Sequence, residues 1–198
     1  MWNLPCLDIV IGSILGDGHL TRPYKAGGNS GLYIKYDDKA LDYLKWLHST
    51  LSSIEPLSIK AKVVGGYHQH YFQTRASKKI GDLRRIFYPK GKKIIPLDIK
   101  NLLLSPRSLA VWYMDDGTLD NRAKYHRNAM FATYGFSFKD CYLLSGQLKE
   151  IFDVDVSVTK CTMRNKVYPR LYVKSCSMDR FISLISPYIH PVFKYKIA

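Results

Sequence analysis

The sequence predicts an α+β fold in which one α-β-β-α-β-β-α unit occurs twice, giving two four-stranded antiparallel sheets. Three observations predict it. Apolar residues recur at helical spacing in six segments, strand-like segments come in pairs between them, and the order of elements restarts after about 99 residues. The charge divides the same way. Residues 1–98 and 99–198 each hold 15 Lys+Arg and 8 Asp+Glu, so a formal charge of +14 over 198 residues is +7 in each half. The units read as residues 1–88 and 107–198, joined by a connector at 89–106.

In the first unit Leu4 to Gly16 reads as a helix, with Pro5 in its first turn and Leu7, Ile11, Ile14 and Leu15 at helical spacing. Gly18 is expected to stop it in a left-handed conformation. His19–Tyr24 and Leu32–Tyr36 read as strands around the turn-rich stretch 25–31. Asp37 or Asp38 is placed to cap a helix with Leu41, Leu44, Leu47 and Leu51 as its apolar stripe. Ile59–Val64 alternates, Ile59, Ala61 and Val63 on one face and Lys60 and Lys62 on the other; Gly65-Gly66 makes a two-residue hairpin turn, and Tyr67–Arg75 returns. Ser77 caps a third helix running to about Phe87, before Pro89.

The second unit repeats this order. Arg107–Asp116 reads as a helix ended by Gly117, followed by strands at Thr118–Lys124 and Ala129–Tyr134. Ser137 and Asp140 resemble a capping box for a helix carrying Cys141, Leu144, Leu148 and Ile151. Strands follow at Val154–Thr162 and Tyr168–Lys174, and Ser177 opens a helix closed by Pro187. Each sheet is expected to lay one face on helices and leave the other for solvent or a ligand.

Composition narrows the function. With 46% apolar and 23% charged residues the chain is neither disordered nor collagen-like, and no apolar run is long enough to span a membrane. A strongly basic chain meets a polyanion, nucleic acid first. An anionic membrane surface is the rival, with no basic amphipathic helix behind it. Cys6, Cys141, Cys161 and Cys176 show no CxxC or zinc spacing and read as reduced, mostly buried thiols. With a start resembling neither signal nor transit peptide, this implies an unsecreted, intracellular protein of an organellar matrix or stroma, or of a prokaryotic cytoplasm.

Two segments carry the chemistry: Val10-Ile11-Gly12-Ser13-Ile14-Leu15-Gly16-Asp17-Gly18 and Leu109-Ala110-Val111-Trp112-Tyr113-Met114-Asp115-Asp116-Gly117. Each is an apolar helix ending in Asp-Gly. Asp-Gly alone is an ordinary turn signal. An aspartate at the negative end of a helix dipole, among free carbonyls, is unfavourable by roughly 0.3–1 kcal/mol. Two such ends brought together repel unless cations sit between them. Carboxylates and carbonyls without His or Cys are the oxygen set that Mg²⁺ prefers.

These segments resemble the two motifs of single-chain LAGLIDADG homing endonucleases, and look most like the yeast mitochondrial intron endonuclease subgroup. The resemblance covers nearly the whole chain, because the duplication matches as well. It implies central motif helices and two sheets forming a DNA-binding saddle. It implies Asp17 and Asp116 as catalytic metal ligands, with the carbonyls of Gly16 and Asp115 as further metal ligands. The Asp115 side chain is read as a solvent-facing or indirectly acting neighbour. Lys93, in Lys93-Ile94-Ile95-Pro96, and Lys196, in Tyr195-Lys196-Ile197, match basic segments that orient water or stabilise phosphate charge; plain phosphate contact is the alternative.

The implied reaction is Mg²⁺-dependent hydrolysis of double-stranded DNA at a long asymmetric site, leaving 3′ overhangs. Mn²⁺ would substitute, Ca²⁺ would bind without supporting cleavage, and the protein would be a monomer serving intron or intein mobility. An RNA maturase that assists splicing is the alternative, with intron RNA as partner; a basic ribosomal-type module is a third. Sheet-face candidates for DNA contact are Arg22, Tyr33, Lys35, Lys60, Lys62, Gln69, Tyr71, Gln73 and Arg75 in the first half. In the second they are Arg122, Lys124, Arg127, Lys160, Arg164, Lys166, Arg170, Tyr172 and Lys174. Arg and Gln there suit purine edges and Lys suits phosphate. His19, His68, His70 and His126 read as DNA contacts or surface.

Overall fold

The computed structural model describes residues 4–102, 105–123 and 126–198, with side chains from Cys6 onward except at 121–123 and 126–127. The first half comprises α1 (Leu4–Leu15), β1 (His19–Leu20), β2 (Leu32–Asp37), α2 (Leu41–Thr50), β3 (Lys60–Val64), β4 (Tyr67–Gln73) and α3 (Lys78–Phe87). The second comprises α4 (Pro106–Asp116), β5 (Gly117–Ala123), β6 (His126–Phe131), α5 (Phe138–Phe152), β7 (Val156–Met163), β8 (Lys166–Val173) and α6 (Met178–Ile185). The strand orders β1-β2-β4-β3 and β5-β6-β8-β7 are the same order in two copies, with every pairing antiparallel. The duplicated α+β architecture is therefore present.

Local chemistry sets most element ends. Ser77 and Ser105 cap α3 and α4 by accepting the backbone N–H three residues on, and Pro106 occupies the first turn of α4. Ser137 and Asp140 form the full capping box of α5. Asp37 caps the 3-10 turn that leads into α2 by accepting from the Ala40 N–H. Gly65 and Gly66 both have positive φ, 58° and 82°, as the two-residue hairpin turn requires.

The structure departs from the sequence pattern at several points. β1 stops at Leu20 instead of Tyr24; only Thr21 continues its pairing, with Gly31, before Pro23 removes a donor. Gly18 does not have positive φ. It is needed because a Cβ there would sit 2.8 Å from the Ser13 carbonyl oxygen. Gly117 is extended, and a Cβ there would strike Tyr113. β3 is exposed along its whole length, so Ala61 and Val63 do not reach the core. Of the four cysteines, Cys6 and Cys141 are buried, Cys161 is partly buried and Cys176 is exposed.

The core is continuous through both halves. At its centre α1 packs on α4, with Ile9, Val10, Ile11 and Ile14 of α1 and Leu109 to Met114 of α4 all buried. A Cβ at Gly12 would lie 2.6 Å from the Ser108 carbonyl oxygen and from Val111 Cβ; one at Gly16 would lie 2.5 Å from Asp115 Cβ. The two copies are thus complementary, not identical: each glycine of α1 receives the larger residue at the matching position of α4.

Candidate active site

The central helices end side by side, and their last residues form the site. Desolvation raises the Asp17 carboxyl above its ordinary range, against the opposing pull of Lys196, Lys93 and Lys35. Asp116 is pushed up to about 7, by burial first and then by the charge of Asp17, with Lys93 pulling the other way. Burial thus makes both carboxyls costly to ionise, and the charge of Asp17 adds to that cost at Asp116.

Two ammonium groups answer that charge. Lys93 Nζ donates to the carbonyl oxygens of Gly16, at 3.1 Å, and Gly18, at 3.4 Å. Lys196 Nζ donates to the Met114 carbonyl at 2.5 Å, and the Tyr113 hydroxyl donates to the Lys196 carbonyl at 2.9 Å. Lys196 is 9% exposed, a rare degree of burial for lysine. Burial lowers both amines below their ordinary value, and the three aspartates at positions 17, 115 and 116 oppose that shift. Both lysines thus reach the aspartate pair from segments that follow their half's third helix.

Asp115 turns inward. Its Oδ1 accepts from the Tyr36 hydroxyl at 2.6 Å and its Oδ2 from the backbone N–H of Asp17 at 3.2 Å. Both oxygens are engaged by the first half, so the side chain is neither solvent-facing nor free to ligate. Its pKa is held well above the ordinary carboxylate range, by burial first and then by the charge of Asp17.

The donors present suit a hard divalent cation: two carboxyls whose pKa values both lie above the ordinary range, with the Gly16 and Asp115 carbonyls beside them. Among the described residues no group of three or more His, Cys, Asp or Glu could hold a metal on side chains alone. A hard divalent cation can bind through one or two carboxylates and complete its shell with water and substrate phosphate. A cleft of about 790 Å³ opens beside the site, lined by Asp17, Lys35, Gln69, Asp115, Tyr195 and Lys196 among others. A second, of about 340 Å³, runs past Asp116 and Thr118 and shares Asp115, Tyr195 and Lys196 with the first.

The sheets flank the clefts. Register puts His19, Tyr33 and Gln73 in one row, Lys35, Tyr71 and Lys60 in the next, and Gln69 and Lys62 in a third, all on one face. Lys62 Nζ lies over the rings of Tyr33 and Tyr71 and donates to the Tyr33 hydroxyl at 3.1 Å. In the second half Thr118, Met130, Tyr172, Arg170, Cys161, Tyr168 and Lys166 share a face, and the Tyr172 hydroxyl donates to Asp120.

Other candidates sit elsewhere. Lys160 pairs with Pro169, on the face shared by Val158 and Leu171, which is the helix side of the sheet. Arg164 occupies the left-handed hairpin turn beyond the sheet. Arg22 is exposed outside β1, Arg75 pairs with Glu55 at 3.0 Å, and Lys174 follows β8. Lys124 lies outside the described residues, as do the side chains of Arg122 and Arg127. Sequence reasoning missed Tyr36, because alternation assigns it to the face opposite Lys35. It also missed the Met114 carbonyl as the acceptor for Lys196.

Residues 7–181 match the model of the LAGLIDADG DNA endonuclease family. The chain belongs to that family. Among relatives of this LAGLIDADG protein is the cytochrome b mRNA maturase bI2 of Saccharomyces cerevisiae, 30% identical over 99% of the chain; the chain spans 48% of that maturase's length. The DNA endonuclease I-ChuI of Chlamydomonas applanata is 27% identical over 96% of the chain and 93% of its own length. The homing endonuclease I-WcaI bound to its DNA recognition sequence superposes with a TM-score of 0.82 at 25% identity, covering all of this chain and 88% of that one. No helix among the described residues is long and apolar enough to cross a membrane.

Proposed function

We propose that the protein is a site-specific endonuclease that cuts both strands of a long, asymmetric DNA target by divalent-metal-assisted phosphodiester hydrolysis, with Mg²⁺ as the metal and 3′ overhangs as the product. The observation that carries this is the pair of carboxyls that are costly to ionise, Asp17 and Asp116, each at the end of a central helix and both faced by the largely buried Lys93 and Lys196. A structural role gives no return for such an arrangement. Lys93 and Lys196 would have been exchanged for apolar residues at little cost to stability.

In this reading Asp17 and Asp116, with the carbonyls of Gly16 and Asp115, hold the divalent cations. When bound, these neutralise charge on the scissile phosphate and on the leaving 3′ oxygen and lower the pKa of attacking water. Lys93 and Lys196 place fixed positive charge beside the phosphate and hold water in line, in a setting where their field is only weakly screened. One carboxylate from each half serves one strand. Lys35, Lys60 and Lys62 contact phosphate, and Gln69, Gln73, Tyr33, Tyr71, Arg170 and Tyr172 meet base edges and sugars. Both copies of the duplicated unit lie in this one chain, which supports a monomer. Mn²⁺ replaces Mg²⁺, and Ca²⁺ supports binding alone.

The test is selection of cleavable sites from a random duplex library with Mg²⁺, followed by Asp17→Asn and Asp116→Asn on the selected site. Cleavage falls by at least ~10²-fold in either variant while DNA binding persists. Wild-type cleavage in either variant would refute the assignment. The similarity to a cytochrome b mRNA maturase favours a second reading, in which the same chain assists splicing of an intron RNA. RNA-dependent splicing that survives Asp17→Asn would establish that activity as separate from cleavage.

A further inference from the structure

We propose that Asp115 is a positioning residue that acts on one half of the site only, by fixing the main chain of Asp17 from the opposite half. The two motif helices end differently. In α4 the Gly117 N–H donates to the Tyr113 carbonyl, so the regular ladder runs to the end of the helix. In α1 the Gly16 N–H donates to Gly12, but the Ser13 carbonyl is taken by Gly18, five residues on, at 2.8 Å. The amide of Asp17 drops out of the ladder and turns to Asp115 Oδ2. This cross-half bond is the partner that the amide takes once it leaves the ladder, so the Asp115 carboxyl helps to set where the chain at the end of α1 comes to rest. That stretch carries both the Asp17 carboxyl and the Gly16 carbonyl.

The carboxyl is itself fixed. The Tyr36 hydroxyl holds its other oxygen at 2.6 Å, and the missing Cβ of Gly16 leaves it room; a Cβ there would lie 2.5 Å from Asp115 Oδ2. Among the described residues no side chain of the first half does the same for the second. The position of the first motif that matches Asp115 is Gly16, which has no side chain. A displacement of about 1 Å at a reacting group costs on the order of 10²-fold in rate, so loss of Asp115 slows the cut that depends on Asp17 far more than the cut that depends on Asp116.

The inference about strands rests on the proposed endonuclease function, so the test has two arms. In the first, end-labelled wild-type substrate and supercoiled plasmid report the rate at each strand. Asp115→Ala shifts the ratio of the two strand rates by at least ~10-fold and accumulates nicked circles. In Asp115→Asn the amide oxygen accepts from Asp17 and the amide N–H₂ donates to Tyr36, and the ratio returns to within about threefold of wild type. In the second arm, amide hydrogen exchange of the metal-free protein shows Asp17 protected in wild type and Asp115→Asn and unprotected in Asp115→Ala, while amides of α4 stay protected. Equal slowing of both strands, or an Asp17 amide that exchanges freely in wild type, overturns the proposal. A protein that cuts no DNA but shows the exchange pattern keeps Asp115 as the positioning residue and refutes only the endonuclease function.

Discussion

Gly12 and Val111 fill a single contact at the crossing of the two central helices: the Cβ and Cγ1 of Val111 occupy the space, 2.6 and 2.8 Å away, that a Cβ on Gly12 would need. The Ser108 carbonyl oxygen closes the same space at 2.6 Å. A methyl group at position 12 has nowhere to go unless the helices part. Gly12→Ala is expected to destabilise the fold by about 1–3 kcal/mol, a fall of roughly 2–12 °C in Tm, read by thermal or urea unfolding. A variant as stable as wild type would mean that the helices do not cross at this contact.

That contact also shows what the sequence could and could not disclose. The elements, their caps and the paired Asp-Gly ends were legible because they are local, each depending on spacing within one helix or turn, and the duplication was legible because their order repeats along the chain. The pairing of Gly12 with Val111 and of Gly16 with Asp115 was not, since the second motif lacks the small residues of the first and only the packed structure shows that each is matched to its opposite. Lys160 illustrates the other limit. Its strand was found, but a residue's face is decided by register with Pro169, and a shift of one position reverses it. Tyr36 was invisible because its role depends on Asp115, 79 residues away.

The buried amines give a prediction that separates charge from packing. Lys196→Met keeps most of the side-chain volume and removes the ammonium that faces the Met114 carbonyl and the aspartates. Cleavage is expected to fall by about 10²-fold or more with duplex affinity nearly intact. Lys93→Met is expected to behave likewise. Single-turnover cleavage at saturating enzyme reads the rate, and gel shift in Ca²⁺ reads binding. Parallel losses in rate and affinity would make both lysines simple phosphate contacts.

Acidity supplies a third prediction. The Asp116 carboxyl ionises near 7 in the fold against ~4 in an unfolded chain, so the folded protein holds the extra proton between those values. Its contribution to stability is therefore complete below the unfolded value and is lost as pH rises through about 7. Asp17 and Asp115 shift in the same direction. In EDTA the Tm is expected to fall from pH 5.5 to pH 8, and Asp116→Asn to flatten that slope. A divalent cation favours the ionised carboxyls, so the rise in Tm on adding Mg²⁺ is larger at pH 8 than at pH 5.5. A Tm in EDTA that climbs steadily over this range in wild type, unchanged by Asp116→Asn, would contradict the repulsion between the helix ends.

The sheet face divides into groups that hold DNA and groups that read it, and salt separates them. Lys35 and Lys60 stand exposed in one cross-strand row with Tyr71. Each is expected to release counterions from DNA on binding. Lys35→Ala or Lys60→Ala therefore lowers the slope of log K against log salt by about 1 and weakens cognate and mismatched duplexes alike. Gln73 lies in the row with Tyr33 and His19 and carries no charge. Gln73→Ala leaves the slope unchanged and reduces discrimination at one base pair by about 1–3 kcal/mol. Lys62 is the instructive intermediate, because its ammonium already rests on Tyr33 and Tyr71. DNA must compete with that contact, so Lys62→Ala changes the slope by less than Lys60→Ala. Titrations of the three lysine variants between 50 and 200 mM salt test the order, and an equal change for Lys60 and Lys62 would show that the aromatic contact gives way entirely in the complex.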